Sequence, residues 1–399
     1  MKTNKIVFDY IEKAIENETL KLLIHRQFRD DEWGVMISEF KPDFKMNAFD
    51  KNAAKIFLCR DYSLKYMYGD CLSIIDEINT IENELNIDSQ CHLALLGFAY
   101  HTFGITLGYM GKKNDPRYNT FFTEAHNIYN QLNANLDIAD LNIQEIDLDF
   151  YYDPPLGIPG LIKKYENIEK ELWQEKGIKF RIGVLRLLGF MKSDNPSLIN
   201  GAVKNLKEYL AAADKNHYMH YWASCALIIA QKANNETLTQ LPRTPPGARS
   251  KAERFPITLF LLLRSYRIVG DYKKTKRLLL GIERKLKNLI KYFENSDYKK
   301  FIFLSHGLVI EEWMLSAYED PDATTKEKFY HIIHVNEIIQ NRLLADKLSS
   351  YLTKDDGLIN IKEILHKIIK KQPYTGLVYI TSTIRNIKNQ NQFIILYAT

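Results

Sequence analysis

Residues 255–282 read FPITLFLLLRSYRIVGDYKKTKRLLLGI, and the fold of the chain turns on how this stretch is read. Phe255 to Val269 is apolar at helical spacing and carries no internal breaker after Pro256, so it predicts a helix. Gly270-Asp271 interrupts it, and Tyr272 to Phe293 resumes the helical pattern with the large apolar residues Leu279 and Ile282. Gly270 suits the break because the chain leaves a helix most easily through a positive φ, which glycine adopts at little cost. The stretch therefore predicts two helices joined by a tight turn.

Working outward, the same alternation recurs. Ala53 to Tyr68 and Cys71 to Leu85 flank Gly69-Asp70, and Cys91 to Met110 and Arg117 to Leu132 flank a break over Gly111 to Pro116. Lys179 to Met191 and Ser197 to Ala213 lie on either side of Ser193-Asp194-Asn195-Pro196, where Ser193 or Asp194 is the expected cap and Pro196 suits a first helical turn. Tyr298 to Tyr318 and Thr325 to Leu352 form a fifth pair. Paired helices in units of roughly 34 to 47 residues are the pattern of helical-repeat proteins, with an irregular helical bundle as the alternative. Leu259, Leu262, Tyr266, Gly270, Asp271, Tyr272, Leu279 and Ile282 fall at the spacing of a tetratricopeptide repeat, which this unit resembles. Thr275 stands where that family usually has a small residue. The fold expected is all-α, a tetratricopeptide-like solenoid closed by a short C-terminal β-hairpin.

The hairpin rests on a change of period. Gly376 to Ile384 and Phe393 to Thr399 are β-branched and aromatic runs around a polar turn from Arg385 to Gln392, and the sequence stops within the second run. Two strands alone are marginal, so they dock on the helices or begin a larger sheet. Ahead of them come a helix containing Arg342-Leu343-Leu344-Ala345-Asp346 and a shorter one from Gly357 to Lys371, closed by Pro373. With Leu377-Val378-Tyr379 and Phe393 to Thr399, this order resembles the junction of TPR-CHAT proteins, in which a helical array runs into a caspase-like cysteine peptidase domain. The expected organisation is N-terminal helical repeats over 1–136, an acidic Pro/Gly loop over 137–160, tetratricopeptide-like repeats over 161–352 with a basic loop at 239–256, and a linker helix with hairpin over 353–399.

Composition restricts the function classes. The 399 residues are 46% hydrophobic and 26% charged, proportions of an ordinary folded protein with ample core. The longest apolar stretches are broken by Arg264 or Lys291, which argues against a membrane span, and Met1 to Glu12 lacks the apolar core of a signal peptide. Cys59, Cys71, Cys91 and Cys225 show neither paired nor metal-ligand spacing, so reduced thiols in a cytoplasmic protein are expected. A net charge of +5 is modest for this length.

Charge is nevertheless segregated. Asp137 to Gly160 contains Asp137, Asp140, Glu145, Asp147, Asp149 and Asp153 without Lys or Arg, whereas Thr239 to Pro256 carries Arg243, Arg249, Lys251 and Arg254 among prolines. Both read as long loops, either solvated connections or partner-docking segments. From Tyr272 to Lys300 ten bases, beginning Lys273, Lys274, Lys276 and Arg277, face three acids. That stripe fits a phosphate backbone or an ordinary solvated face, and no nucleic-acid motif accompanies it. Arg243, Arg249, Lys251, Arg254, Lys273, Lys274, Lys276 and Arg277 are the candidate partner-binding residues.

Catalytic chemistry is sparse. His217 with His220 and His331 with His334 are i, i+3 pairs able to share a metal, yet two ligands make no site, and Glu363 with His366 is the lone Glu-x-x-His. Phosphate-binding loops, nucleophile elbows and dinucleotide fingerprints are missing, so no cofactor is expected. In the TPR-CHAT family the catalytic His and Cys lie on later strands of the caspase-like sheet, so the resemblance gives no residue of this sequence a catalytic role. It implies instead a sensing region that docks an activating protein, in some members an RNA-guided CRISPR effector of antiviral defence, with nucleic acid as a further possible partner. A self-contained tetratricopeptide adaptor and a nucleic-acid-associated helical protein are the alternatives.

Overall fold

The structure, a computed structural model, describes residues 6–28, 40, 46–64, 67–151, 157–174, 176–245, 248, 256–280, 308–309, 311–324, 327–328, 377–383 and 392–398. Among the described residues up to 328 every regular element is helical, as the periodicity predicts, and none is long and apolar enough to cross a membrane. The described residues divide into two compact units, the first up to Lys176 and the second from Gly177 onward.

The first unit contains α1 (Ile6–Ala14), α2 (Glu18–Phe28), α3 (Ala48–Leu64), α4 (Tyr68–Ile75), α5 (Ile78–Glu84), α6 (Gln90–Tyr109), α7 (Pro116–Gln131), α8 (Asn135–Tyr151) and α9 (Gly157–Glu166). Its centre is α6, buried continuously from Ala94 to Gly104 and packed against α1, α3, α4, α7 and α8. A helix with neighbours on all sides has no polar face to spare, which explains its nearly unbroken apolar and small-residue sequence. Small residues also set the spacing. A Cβ at Gly97 would lie 2.7 Å from Ile128 of α7, and one at Gly108 2.5 Å from Leu148 of α8. Asp115 caps α7 by accepting from the Arg117 amide at 3.0 Å, with Pro116 in the first turn.

Two expectations for this unit need correction. Gly69-Asp70 does not form a turn: the break falls between Leu64 and Tyr68, and both residues belong to the first turn of α4. Gly69 has no positive φ there, so its glycine freedom is unused. The acidic segment from Asp137 is not an irregular loop where it is described, 152–156 with Asp153 lying outside the described residues. It is helical as α8 through Tyr151 and helical again from Gly157, because Leu141, Ile143, Ile146 and Leu148 are buried between its acids.

In the second unit α10 (Ile178–Ser193), α11 (Pro196–Ala212), α12 (Tyr218–Ala233) and α13 (Pro256–Ile268) pack in sequence order: α10 on α11, α11 on α12, α12 on α13. Gly183 lets α11 approach closely, since a Cβ there would meet Leu206 at 2.8 Å. Asn195 caps α11, accepting from Ser197 at 3.0 Å, whereas Asp194 takes the left-handed conformation that ends α10. The expected cap, Ser193 or Asp194, is thus displaced to Asn195, the residue immediately before the proline. Beyond α13, Gly270 has φ +74, and helices follow over 272–280 and 311–319.

Candidate partner-binding surface

Helix 272–280 buries Thr275, Leu278 and Leu279 and exposes Lys273, Lys274, Lys276 and Arg277. That division follows from helical spacing: 275, 278 and 279 fall on one side of the helix and the bases on the other. Asp271 ties off its start, accepting from the Lys274 amide at 3.1 Å and holding the Lys274 ammonium at 2.9 Å. Burial pushes the Asp271 carboxyl up, but the hydrogen bonds and charge of Lys274 outweigh it and hold the carboxyl below its ordinary value. The same ammonium stands 5.6 Å from the centre of the Tyr266 ring. Lys276 reaches Asp320 at 2.7 Å, and that bond raises its pKa. Lys274 and Lys276 are therefore each paired with a carboxylate.

Arg243 is exposed on a segment that has no regular structure but is fastened to α12. Gln231 accepts from the Thr239 amide at 2.9 Å and its hydroxyl at 3.0 Å. The Thr244 hydroxyl donates to Tyr221 at 3.0 Å, Tyr221 meets the hydroxyl of Tyr266 at 2.9 Å, and the Trp222 indole donates to the Ala248 carbonyl at 3.1 Å. Arg243 thus sits on a positioned segment rather than a loose one. Arg249, Lys251 and Arg254 lie outside the described residues, as do His331, His334, Glu363, His366, residues 342–346 and the bases from Arg284 to Lys300.

Below the basic helix is a charge cluster that the sequence reading missed. Arg264 of α13 pairs with Glu312 at 3.0 Å. Arg267 grips the same carboxylate through Nε at 2.8 Å and Nη2 at 3.2 Å, and donates through Nη1 to both oxygens of Glu319 at 2.9 Å. Glu312 is fully buried and the Arg264 side chain is 2% exposed, so neither ion has water to lean on. Burial lowers the pKa of Arg264 despite its partner, while Arg267 is raised because its two carboxylates overcome the same burial. Arg264 Nε and Glu311 Oε1 are buried without a hydrogen-bond partner among the described residues. A signal was present in the sequence: Arg264 inside a leucine run, and Glu311-Glu312 directly before Trp313-Met314-Leu315.

In the first unit the acids of α8 point inward to partners. Asp140 pairs with Lys176 at 2.7 Å, Glu145 with His126 at 3.1 Å, and Asp149 with Lys113 at 2.9 Å and Lys164 at 2.7 Å. Asp147 accepts from the Tyr165 hydroxyl, and Asp137, buried, accepts from the Val7 amide at 3.5 Å. An acidic docking loop is therefore not what this segment provides. Cys59 and Cys71, far from paired in spacing, meet across α3 and α4, each thiol directed at the other's carbonyl, at 4.0 Å and 3.4 Å. His217 caps α12, accepting from the Met219 amide at 3.3 Å, and burial lowers the pKa of His220 in the first turn. Among the described residues no three His, Cys, Asp or Glu side chains are grouped to hold a metal. Comparison with protein-family models, with curated proteins and with solved structures finds no match to this chain.

Proposed function

We propose that this chain is a protein-binding helical scaffold that docks its partner on the basic face of helix 272–280. The observation that carries the reading is a set of exposed bases, Lys273, Lys276 and Arg277, on a helix whose opposite side, Thr275, Leu278 and Leu279, is buried. A surface cation on a rigid, well-packed base meets a partner with little ordering cost. The tetratricopeptide likeness adds support: Leu259, Leu262, Tyr266 and Leu279 are buried and Gly270 makes the turn with positive φ. Local pairing of Lys274 with Asp271 and of Lys276 with Asp320 favours a protein partner over a nucleic-acid backbone, because a phosphate must compete with carboxylates already in place.

The finer proposal is that the scaffold is the regulatory region of a CHAT-type cysteine peptidase, acting in the cytoplasm and responding to an activator such as an RNA-guided effector. Its support is the order of the sequence, in which the β-branched and aromatic runs Gly376 to Ile384 and Phe393 to Thr399 follow the helical pattern as the first hairpin of that family does.

A photo-crosslinking amino acid at Lys273 in the full chain tests the docking face, with one at the exposed Ile87 as control. Crosslinks to a protein, lost on Arg277→Glu, are expected; crosslinks to RNA, or none above the control, refute it. Reading the native frame past Thr399 tests the finer proposal, which fails if no His- and Cys-bearing α/β domain follows.

A further inference from the structure

Among the described residues, the cluster between α13 and helix 311–319 contains more acid than its cations balance. Arg264 and Arg267 contribute two positive charges, and Glu312 and Glu319, both bonded to them, contribute two negative ones. Those four close to zero. Glu311 is the fifth member, 4% exposed, next in the chain to the fully buried Glu312, and its Oε1 has no hydrogen-bond partner among the described residues. An ionised Glu311 therefore adds a surplus charge to a buried interface where, among the described residues, no donor meets its Oε1, whereas a protonated Glu311 adds none.

We propose that Glu311 is a proton-operated lock: neutral, it lets α13 and helix 311–319 close over the balanced network, and ionised, it weakens that junction. The groups that bear on it are Arg264 and Arg267 from α13 and Glu312 from its own helix; Glu319 and Asp320, further along that helix, are engaged by Arg267 and Lys276. Burial raises the carboxyl most and Glu312 raises it further, the two arginines oppose both, and the outcome is about 8. The lock is thus set roughly one unit above neutrality, far from the ordinary glutamate range.

The sign follows from proton counting. Between the ordinary carboxyl pKa and about 8 the closed junction binds a proton that the opened one releases, so closure weakens as pH rises through that interval and levels off above it. The ratio of closed to open falls about tenfold per pH unit, on the order of a thousandfold in all. Trp313, 1% exposed on the same helix, is the native reporter.

The full chain labelled with 5-fluorotryptophan, its Trp313 resonance assigned by Trp313→Phe, is unfolded in urea at pH 5 to 9.5. The urea midpoint of that resonance is expected to fall as pH rises to about 8, and Glu311→Gln is expected to flatten the slope. In parallel, carboxyl-13C glutamate labelling of the unmutated chain follows Glu311 directly, which decides the matter even if the variant fails to fold. Titration of Glu311 in the ordinary carboxylate range, or an undiminished slope in Glu311→Gln, overturns the proposal.

Discussion

The Lys276 ammonium lies 2.7 Å from the Asp320 carboxylate, which links the exposed face of helix 272–280 to the end of helix 311–319. Lys273, on the same face, has a different setting: no described carboxylate is recorded against it. The two bases therefore separate stability from docking. Lys276→Gln is expected to lower stability by up to about 1 kcal/mol, since the Lys276 side chain is 59% exposed and screening limits the pair, while Lys273→Gln stays within about 0.5 kcal/mol. Urea unfolding of both variants checks this, and equal losses would show that the bond to Asp320 contributes nothing.

Removing one member of the buried network should cost far more. Glu312→Gln leaves Arg264 and Arg267 facing each other without their shared carboxylate, and a loss of about 3–5 kcal/mol is expected. The same assay measures it; a loss below about 1 kcal/mol would mean that water reaches the cluster.

Glycines at close approach and at a turn should behave differently. Gly108→Ala drives a Cβ to within 2.5 Å of the Leu148 side chain, for an expected cost of about 1–3 kcal/mol. Shortening the neighbour in Gly108→Ala/Leu148→Val should recover part of it, a coupling that a double-mutant cycle reads. At Gly270 a Cβ meets nothing within 4 Å, so Gly270→Ala carries only the backbone cost of φ +74, about 1–2 kcal/mol, with no rescuing partner.

Asp149 predicts acid sensitivity of the first unit. Burial pushes its carboxyl up, but the bonds and charges of Lys113 and Lys164 prevail and hold it below the ordinary value. A depressed carboxyl stabilises above its unfolded pKa, and that contribution disappears as pH falls through the folded one. Asp149→Asn should therefore cost about 1 kcal/mol at pH 7 and progressively less as pH falls below the ordinary carboxylate range, a convergence that paired urea titrations reveal.

Helix identity was legible where one face is apolar and an end is punctuated. Phe255 to Val269 with Gly270, and Arg117 to Leu132 after Pro116, fall within a residue or two of the observed elements. α8 escaped because five acids with no base among them look like solvated coil, and the partners that make them tolerable, Lys113, Lys164 and Lys176, come from elsewhere in the chain. Gly69-Asp70 and Gly270-Asp271 are the same dipeptide, yet only the second makes a turn; the difference lies in Tyr68, buried at the start of α4. The exposed bases were visible as a run, but the carboxylates that hold Lys276, Arg264 and Arg267 are tertiary neighbours and left no local trace.

The placement of α6 bears on how the two units come apart. A helix enclosed by α1, α3, α4, α7 and α8 gains its burial only when all of them are present, so the first unit should melt as one cooperative block. α10 to α13 instead lean mainly on their sequence neighbours, an arrangement that can fray from an end while the rest persists. Amide exchange should find a single opening free energy across α1, α3, α6, α7 and α8, but a gradient along α10 to α13.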